Sequence, residues 1–300
     1  MVEFGRVLTA MVTPLTESGA VDFDRAKELA RALIDSGSDG LVVSGTTGES
    51  PTLTNEEKLR LFREVRSAIG NSAPIVAGTC NYNTAESIEL SKEAAHAGVD
   101  GILGTVPYYN KPPQNSLYEH FKTIAQSVDL PIILYNVPSR TATNMAPETT
   151  IKLSQIPNIV GIKEASGNLD GIAKIIEESR PGFKVWSGDD VMTMPILSIG
   201  GWGIVSVASH LVGMQIQEMI AHFVEGRPAE AAKMHRHLRS YFNALFVTTN
   251  PIPLKYALAK VGFPVGGVRL PLTPIDEKSA AVVDEELSRV RTDLKVAVPA

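Results

Sequence analysis

Eight short runs of β-branched and other apolar residues recur along the chain. They are VLTAMV (7–12), GLVVSG (40–45), PIVAGT (74–79), GILGTV (101–106), PIILYN (131–136), NIVGIK (158–163), FKVWSG (183–188) and GIVSVA (203–208). They are mostly apolar without polar alternation, the pattern of parallel strands covered on both faces. Longer stretches with helical spacing separate them. In DFDRAKELARALIDSG, Leu29, Ala32 and Leu33 share one face and Gly37 supplies a C-terminal stop. Thr54 and Glu57 have capping-box spacing ahead of a helix that closes at Gly70, and TAESIELSKEAAHAG closes at Gly98. Eight strand–helix units in roughly 200 residues are what a (β/α)8 barrel requires. An open doubly wound sheet would share the spacing, but the count of eight favours the closed TIM barrel.

Past residue 208 the strand pattern stops. MQIQEMIAHFVEG, PAEAAKMHRHLRSYFNALF, PIPLKYALAKVG and DEKSAAVVDEELSRVRTDL all read as helices. The break at Gly226-Arg227-Pro228 predicts two units. One is an α/β catalytic barrel over 1–226, and the other is a C-terminal helical domain over 227–300.

Hydrophobic residues make up 44% and charged residues 20%, a balance that supports a packed globular core. A net charge of −5 with no block of Lys or Arg argues against nucleic acid and against acidic membrane surfaces. The single cysteine, Cys80, excludes an internal disulfide and suits a reducing compartment. The opening MVEFGRVLTAMVTPL is too short in its apolar part for a signal peptide. No run approaches the ~20 apolar residues of a membrane helix. A cytoplasmic protein is expected. His235 and His237 of HRH point to different sides of a helix, and no Cys, His and carboxylate set has ligand spacing, so no metal site is expected. SIGGWGIVS lacks the spacing of a P-loop or a dinucleotide fingerprint, and is expected to line a pocket with its backbone.

In such a barrel, chemistry gathers in the loops that follow the strands. Those loops carry SGTTGES (44–50), TVPYYNKPP (105–113), LYNVPSRT (134–141) and SGDD (187–190), with Lys163 ending the sixth run. Threonines, tyrosines, an arginine and a lysine would converge on one rim. Burial of Lys163 behind an apolar run would favour its neutral amine. A neutral amine can form a Schiff base with a ketone. The plain alternative is a lysine that snorkels to solvent. Tyr135, on the neighbouring strand end, could pass protons to such a centre or merely pack the barrel mouth. GTTGES could hold a carboxylate through its amides and hydroxyls, or be an ordinary turn before Thr54. Tyr108 and Tyr109 suit a gate or a subunit interface. Arg140 could grip a carboxylate or form a surface ion pair. Asp189 and Asp190 read as helix N-caps.

Taken together, GTTGES, PYYNKP, YNVPSRT, GIKEASGN and SGDD closely resemble, in order and spacing, the dihydrodipicolinate synthase branch of the N-acetylneuraminate lyase family of class I aldolases. The resemblance spans essentially the whole chain. It implies that Lys163 forms the Schiff base with pyruvate and that Tyr135 exchanges protons with it. It implies a hydroxyl relay completed by Thr46 and by Tyr109, with Tyr109 reaching into a neighbouring subunit's site. Thr47 would hold the pyruvate carboxylate, and Gly188 and Val205 would line the pocket with backbone. Arg140 would receive the carboxylate of L-aspartate-4-semialdehyde. No cofactor is implied, because the lysine iminium is itself the electron sink. The partners implied are these two small molecules and further copies of the chain, in a homotetramer built as a dimer of dimers.

Two neighbouring readings are separable. Neuraminate lyases tend to carry Ser-Thr where this chain has Thr46-Thr47, and they lack the arginine at 140, which favours the synthase over another pyruvate-dependent lyase or dehydratase. A keto-acid sensor without turnover would be favoured only if Lys163 or Tyr135 were missing. Lysine-inhibited members often carry histidines just after GES, where this chain has Asn55 and Lys58, and Tyr82 stands where asparagine is usual. Weak or absent feedback by lysine is therefore expected.

Overall fold

The computed structural model describes residues 2–295. Each of the eight apolar runs forms a strand, the sixth extending one residue past its run to Glu164. They are β1 Val7–Ala10, β2 Gly40–Val43, β3 Ile75–Gly78, β4 Gly101–Thr105, β5 Ile132–Asn136, β6 Ile159–Glu164, β7 Lys184–Ser187 and β8 Gly203–Ser206. Every strand pairs in parallel with the next, and β8 returns to β1 with Val7 opposite Ile204, closing the barrel.

Burial on both faces accounts for the unbroken apolar runs. Leu8, Val42, Val76, Leu103, Ile133 and Trp186 fill the barrel interior. Their neighbours Val7, Leu41, Ile75, Ile102 and Ile132 pack outward against helices. Each such side chain contributes roughly 1.5–3 kcal/mol on leaving water. The same alternation aims the chemistry. Tyr135 and Lys163 are direct partners across β5 and β6, one pleat repeat beyond the partners Ile133 and Gly161.

The helices follow their local signals. Asn55–Ile69 carries the full capping box between Thr54 and Glu57 and ends at Gly70. Phe23–Asp35 buries Leu29, Ala32 and Leu33, and Gly37 just beyond it has φ +103°. After the barrel come Ser209–Val224, Pro228–Ala244, Ile252–Lys260 and Glu277–Leu287. Leu238, Tyr241, Phe242, Leu254 and Leu258 from this region share one apolar cluster with Val7, Leu29 and Leu41. The tail is thus packed onto the barrel wall. Among the described residues no helix is long and apolar enough to cross a membrane.

One expectation is corrected. In SIGGWGIVS, Gly200 and Gly201 precede β8 and Gly203 opens it, so strand direction places all three at the amino end of the barrel, away from the loops that follow the strands. There the Trp202 ring lies between the Arg6 guanidinium (3.9 Å) and the Lys184 ammonium (3.7 Å).

Candidate active site

The carboxyl ends of the strands surround a cavity of about 340 Å³ whose lining includes Thr46, Thr47, Tyr135, Arg140, Lys163 and Gly188. A cavity of this size admits small metabolites. Lys163 rises from β6 and is buried, with its Nζ 4.2 Å from the centroid of the Tyr135 ring. Desolvation lowers its pKa from 10.5 to about 7, with the Arg140 charge helping and Asp190 opposing. A large share of this amine is therefore neutral near pH 7, and nucleophilic. Gly188 makes room for it. A Cβ there would lie 3.2 Å from Lys163 Cγ and Cε and 2.8 Å from Ala165 Cβ.

Tyr135 is also buried, and burial raises its phenol above the ordinary value, while Arg140 and the neighbouring Thr46 hydroxyl pull it back down. The phenol stays protonated near neutrality and can donate a proton.

Thr46 and Thr47 sit on the loop after β2, which turns through left-handed backbone at Ser44 (φ +58°) and Glu49 (φ +55°). The turn depends on a bare neighbour: a Cβ on Gly78 would fall 2.0 Å from the Ser44 carbonyl oxygen. Thr47 accepts a hydrogen bond from Asn250 Nδ2 at 2.9 Å. Its single hydroxyl proton is then left to donate into the cavity, as a carboxylate there requires.

Residues not singled out from sequence complete the site. Asn243, Phe246 and Asn250, all beyond the barrel, line the same cavity. The TTNP turn at 248–251 was the one local signal for them. Asp189 is indeed a cap, accepting from Val191 N at 3.0 Å. Asp190 is not. Its buried carboxylate accepts from the Ser206 hydroxyl and from the amides of Val207 (3.1 Å) and Ala208 (3.2 Å), fixing the chain just after β8. Desolvation pushes its pKa up to about 6. Glu164 points out of the barrel behind Lys163. It accepts from Ser166 N at 2.7 Å and from Asn136 Nδ2 at 3.2 Å, tying the ends of β5 and β6 together.

Asp190 gives a directional prediction. Its charge favours the ammonium of Lys163, so removing it lowers the lysine pKa further. Asp190→Asn is expected to shift the acid limb of imine formation to lower pH. Borohydride trapping of a keto acid across a pH series reads this, and a shift to higher pH would contradict the assignment.

Two expected site residues do not line the lysine cavity within this chain. Val205 belongs to the interior cluster with Tyr135 and Trp186, and it is Val207 that lines the cavity. Tyr109 has φ +71° and is 89% exposed, and it lines neither this cavity nor its neighbour within the chain. That neighbour shares Thr46, Val137 and Arg140 with the lysine cavity and extends to Lys58, Cys80, Tyr82 and Tyr108. Tyr82 and Tyr108 meet edge to face there, with centroids 5.0 Å apart. Among the described residues no group of three His, Cys, Asp or Glu side chains converges as a metal-holding set.

Comparison with known proteins agrees with this architecture. Residues 3–290 match the model of the dihydrodipicolinate synthetase family. The 4-hydroxy-tetrahydrodipicolinate synthase of Dehalococcoides mccartyi (strain 195) is 58% identical over 296 residues, covering 99% of this chain and all of that protein. The crystal structure of dihydrodipicolinate synthase from Bacillus anthracis is 45% identical, covers 100% of both chains and superposes with a TM-score of 0.94. That of the Acinetobacter baumannii enzyme, solved with pyruvate, is 36% identical, covers 96% of this chain and 99% of its own, and has a TM-score of 0.92. With a lysine-bearing (β/α)8 barrel and relatives matched end to end, this chain belongs to the dihydrodipicolinate synthetase family.

Proposed function

We propose that this chain is a class I aldolase-type lyase. It condenses pyruvate with L-aspartate-4-semialdehyde to 4-hydroxy-tetrahydrodipicolinate, on the route to diaminopimelate and lysine. One observation carries the chemistry: a buried Lys163 amine, its pKa near 7, lies against the Tyr135 ring in a cavity that also holds Arg140. The relatives' names support the choice of substrates, as does the Acinetobacter neighbour solved with pyruvate.

Neutral Lys163 attacks the ketone carbon of pyruvate, and loss of water leaves an iminium. The Thr47 hydroxyl proton, directed into the cavity by Asn250, binds the pyruvate carboxylate. Loss of a methyl proton gives an enamine, which adds to the aldehyde carbon. The aldehyde oxygen takes up a proton and becomes the hydroxyl of the product. The amine of the semialdehyde then attacks the iminium carbon, closes the ring and releases Lys163. Tyr135 carries protons in these steps, and Thr46 links it to Tyr109 of a second subunit. The 89% exposure of Tyr109 supports a reach outside its own chain. Arg140 pairs with the carboxylate of the semialdehyde. The acting protein is a cytoplasmic homotetramer, a dimer of dimers. Each chain comprises a catalytic barrel (1–226) and a helical domain (227–300). Gly188, just after β7, lines the pyruvate pocket, and Val205 of β8 supports its floor from the barrel interior.

The test is borohydride reduction with pyruvate followed by peptide mapping, together with turnover on a panel of aldehydes. An adduct on Lys163 and preference for the semialdehyde over N-acetylmannosamine and sugar acids are expected. Arg140→Ala should lower kcat/KM for the semialdehyde about 100-fold, with trapping by pyruvate retained. An adduct elsewhere, or preference for a sugar substrate, would overturn the reading.

The outer cavity bears on regulation. Lys58 lines it beside Tyr82 and Tyr108, and presents the same charge as a lysine ligand's ammonium. Millimolar lysine is expected to leave the rate unchanged within about twofold. Strong inhibition in a steady-state assay would contradict this.

A further inference from the structure

The loop that carries Thr46 and Thr47 is bolted from the far end of the chain. Two residues beyond Thr47, Glu49 turns its side chain inward, where only 2% of it is exposed. Lys255, on the helix Ile252–Lys260, meets it with Nζ 2.6 Å from Glu49 Oε1 and with 3% of its side chain exposed. Lys255 Nζ also donates to the Gly267 carbonyl at 2.6 Å. The other carboxylate oxygen of Glu49 accepts from Arg269 N at 2.9 Å. Arg269 in turn spans Glu57 (2.6 and 2.9 Å), the Thr52 carbonyl (2.7 Å) and the Gly19 carbonyl (2.8 Å). Glu49 itself sits at φ +55°, a backbone state that a non-glycine residue keeps only when its surroundings hold it.

A buried ion pair is a poor way to gain stability, because desolvating two charges offsets most of their attraction. An apolar pair of similar volume would hold the fold at least as well. What the ion pair adds is direction: a short contact with further hydrogen bonds fixes where Glu49 lies, and so where the two threonines lie. We propose that Glu49 and Lys255 are positioning residues, whose buried contact holds Thr46 against Tyr135 and aims Thr47 at the pyruvate carboxylate. This rests on the reading of Lys163 as the pyruvate-binding lysine, and wild-type trapping on Lys163 tests that reading separately.

Two variants test the pair: Lys255→Met and the double variant E49Q/K255M. Lys255→Met leaves a buried carboxylate without its cation, so both Tm and pyruvate binding are expected to fall. In the double variant no buried charge is left unpaired, so Tm is expected to recover towards wild type. Its KM for pyruvate is expected to stay about tenfold raised, and its trapped fraction at subsaturating pyruvate to stay low, because the loop is no longer aimed. The trapped fraction at saturating pyruvate should approach wild type. If KM recovers together with Tm in the double variant, the pair is structural only and the proposal fails. Should Lys255→Met not fold, the double variant alone still decides between these outcomes.

Discussion

Lys163→Met is expected to remove turnover by about 10,000-fold or more, with no pyruvate adduct on borohydride reduction. Among the described residues no other lysine lines this cavity, so no second amine stands ready there to substitute. The same substitution has an opposite effect on stability. The lysine carries a folded-state pKa of about 7 against 10.5 in its ordinary state. Below about pH 7 both folded and unfolded chains bind the proton, and the folded chain bears the full cost of burying a cation. Between about pH 7 and 10.5 the unfolded chain binds more protons than the folded one, so raising the pH relieves that cost. Lys163→Met should therefore be more stable than wild type near neutrality, and that advantage should shrink as pH rises towards 10. Chemical denaturation at several pH values measures it. An advantage that grows with pH would show that Lys163 is not held neutral by burial.

Tyr135→Phe should lower kcat by about 100- to 1,000-fold, within the range for loss of a positioned acid–base group. The ring packs in the barrel interior with Ile133, Val137 and Trp186, and phenylalanine keeps that packing. Tm should change by no more than a few degrees. The variant should still trap pyruvate on Lys163, but slowly, because carbinolamine dehydration and enamine formation both need proton transfer. Rapid trapping with unimpaired turnover would remove Tyr135 from the mechanism. A single-turnover experiment with pyruvate in excess separates slow imine formation from slow condensation.

The strands were readable because a parallel strand buried on both faces leaves a contiguous apolar run, and a turn or helix signal bounds each one. Lys163 and Tyr135 stood out because each stands at or next to the end of such a run. What stayed hidden depends on partners remote in sequence. Asp190 looks like its neighbour Asp189, and only the folded β8 end, with Ser206, Val207 and Ala208, distinguishes them. The Thr47–Asn250 bond joins residues 203 positions apart, and no local pattern announces it. The composition of SIGGWGIVS suggests backbone that lines a pocket, whereas the start of β8 at Gly203 puts its three glycines at the amino end of the barrel. Tyr109 shows another limit: the role proposed for its exposed ring requires another molecule, which no local pattern describes.

Closure of the barrel has a kinetic consequence. Val7 pairs with Ile204, and Thr9 Oγ1 bonds Ser209 Oγ at 2.6 Å across 200 residues. Contacts this remote form late, after the loop entropy between them has been lost. A chain still emerging from synthesis would hold Lys163 on a sheet with two open edges, in water, with the ordinary affinity of a lysine for protons. Its nucleophilicity would appear only as β8 docks and the tail covers the wall. Regain of keto-acid trapping during refolding should therefore lag behind secondary structure and coincide with the final, slowest phase.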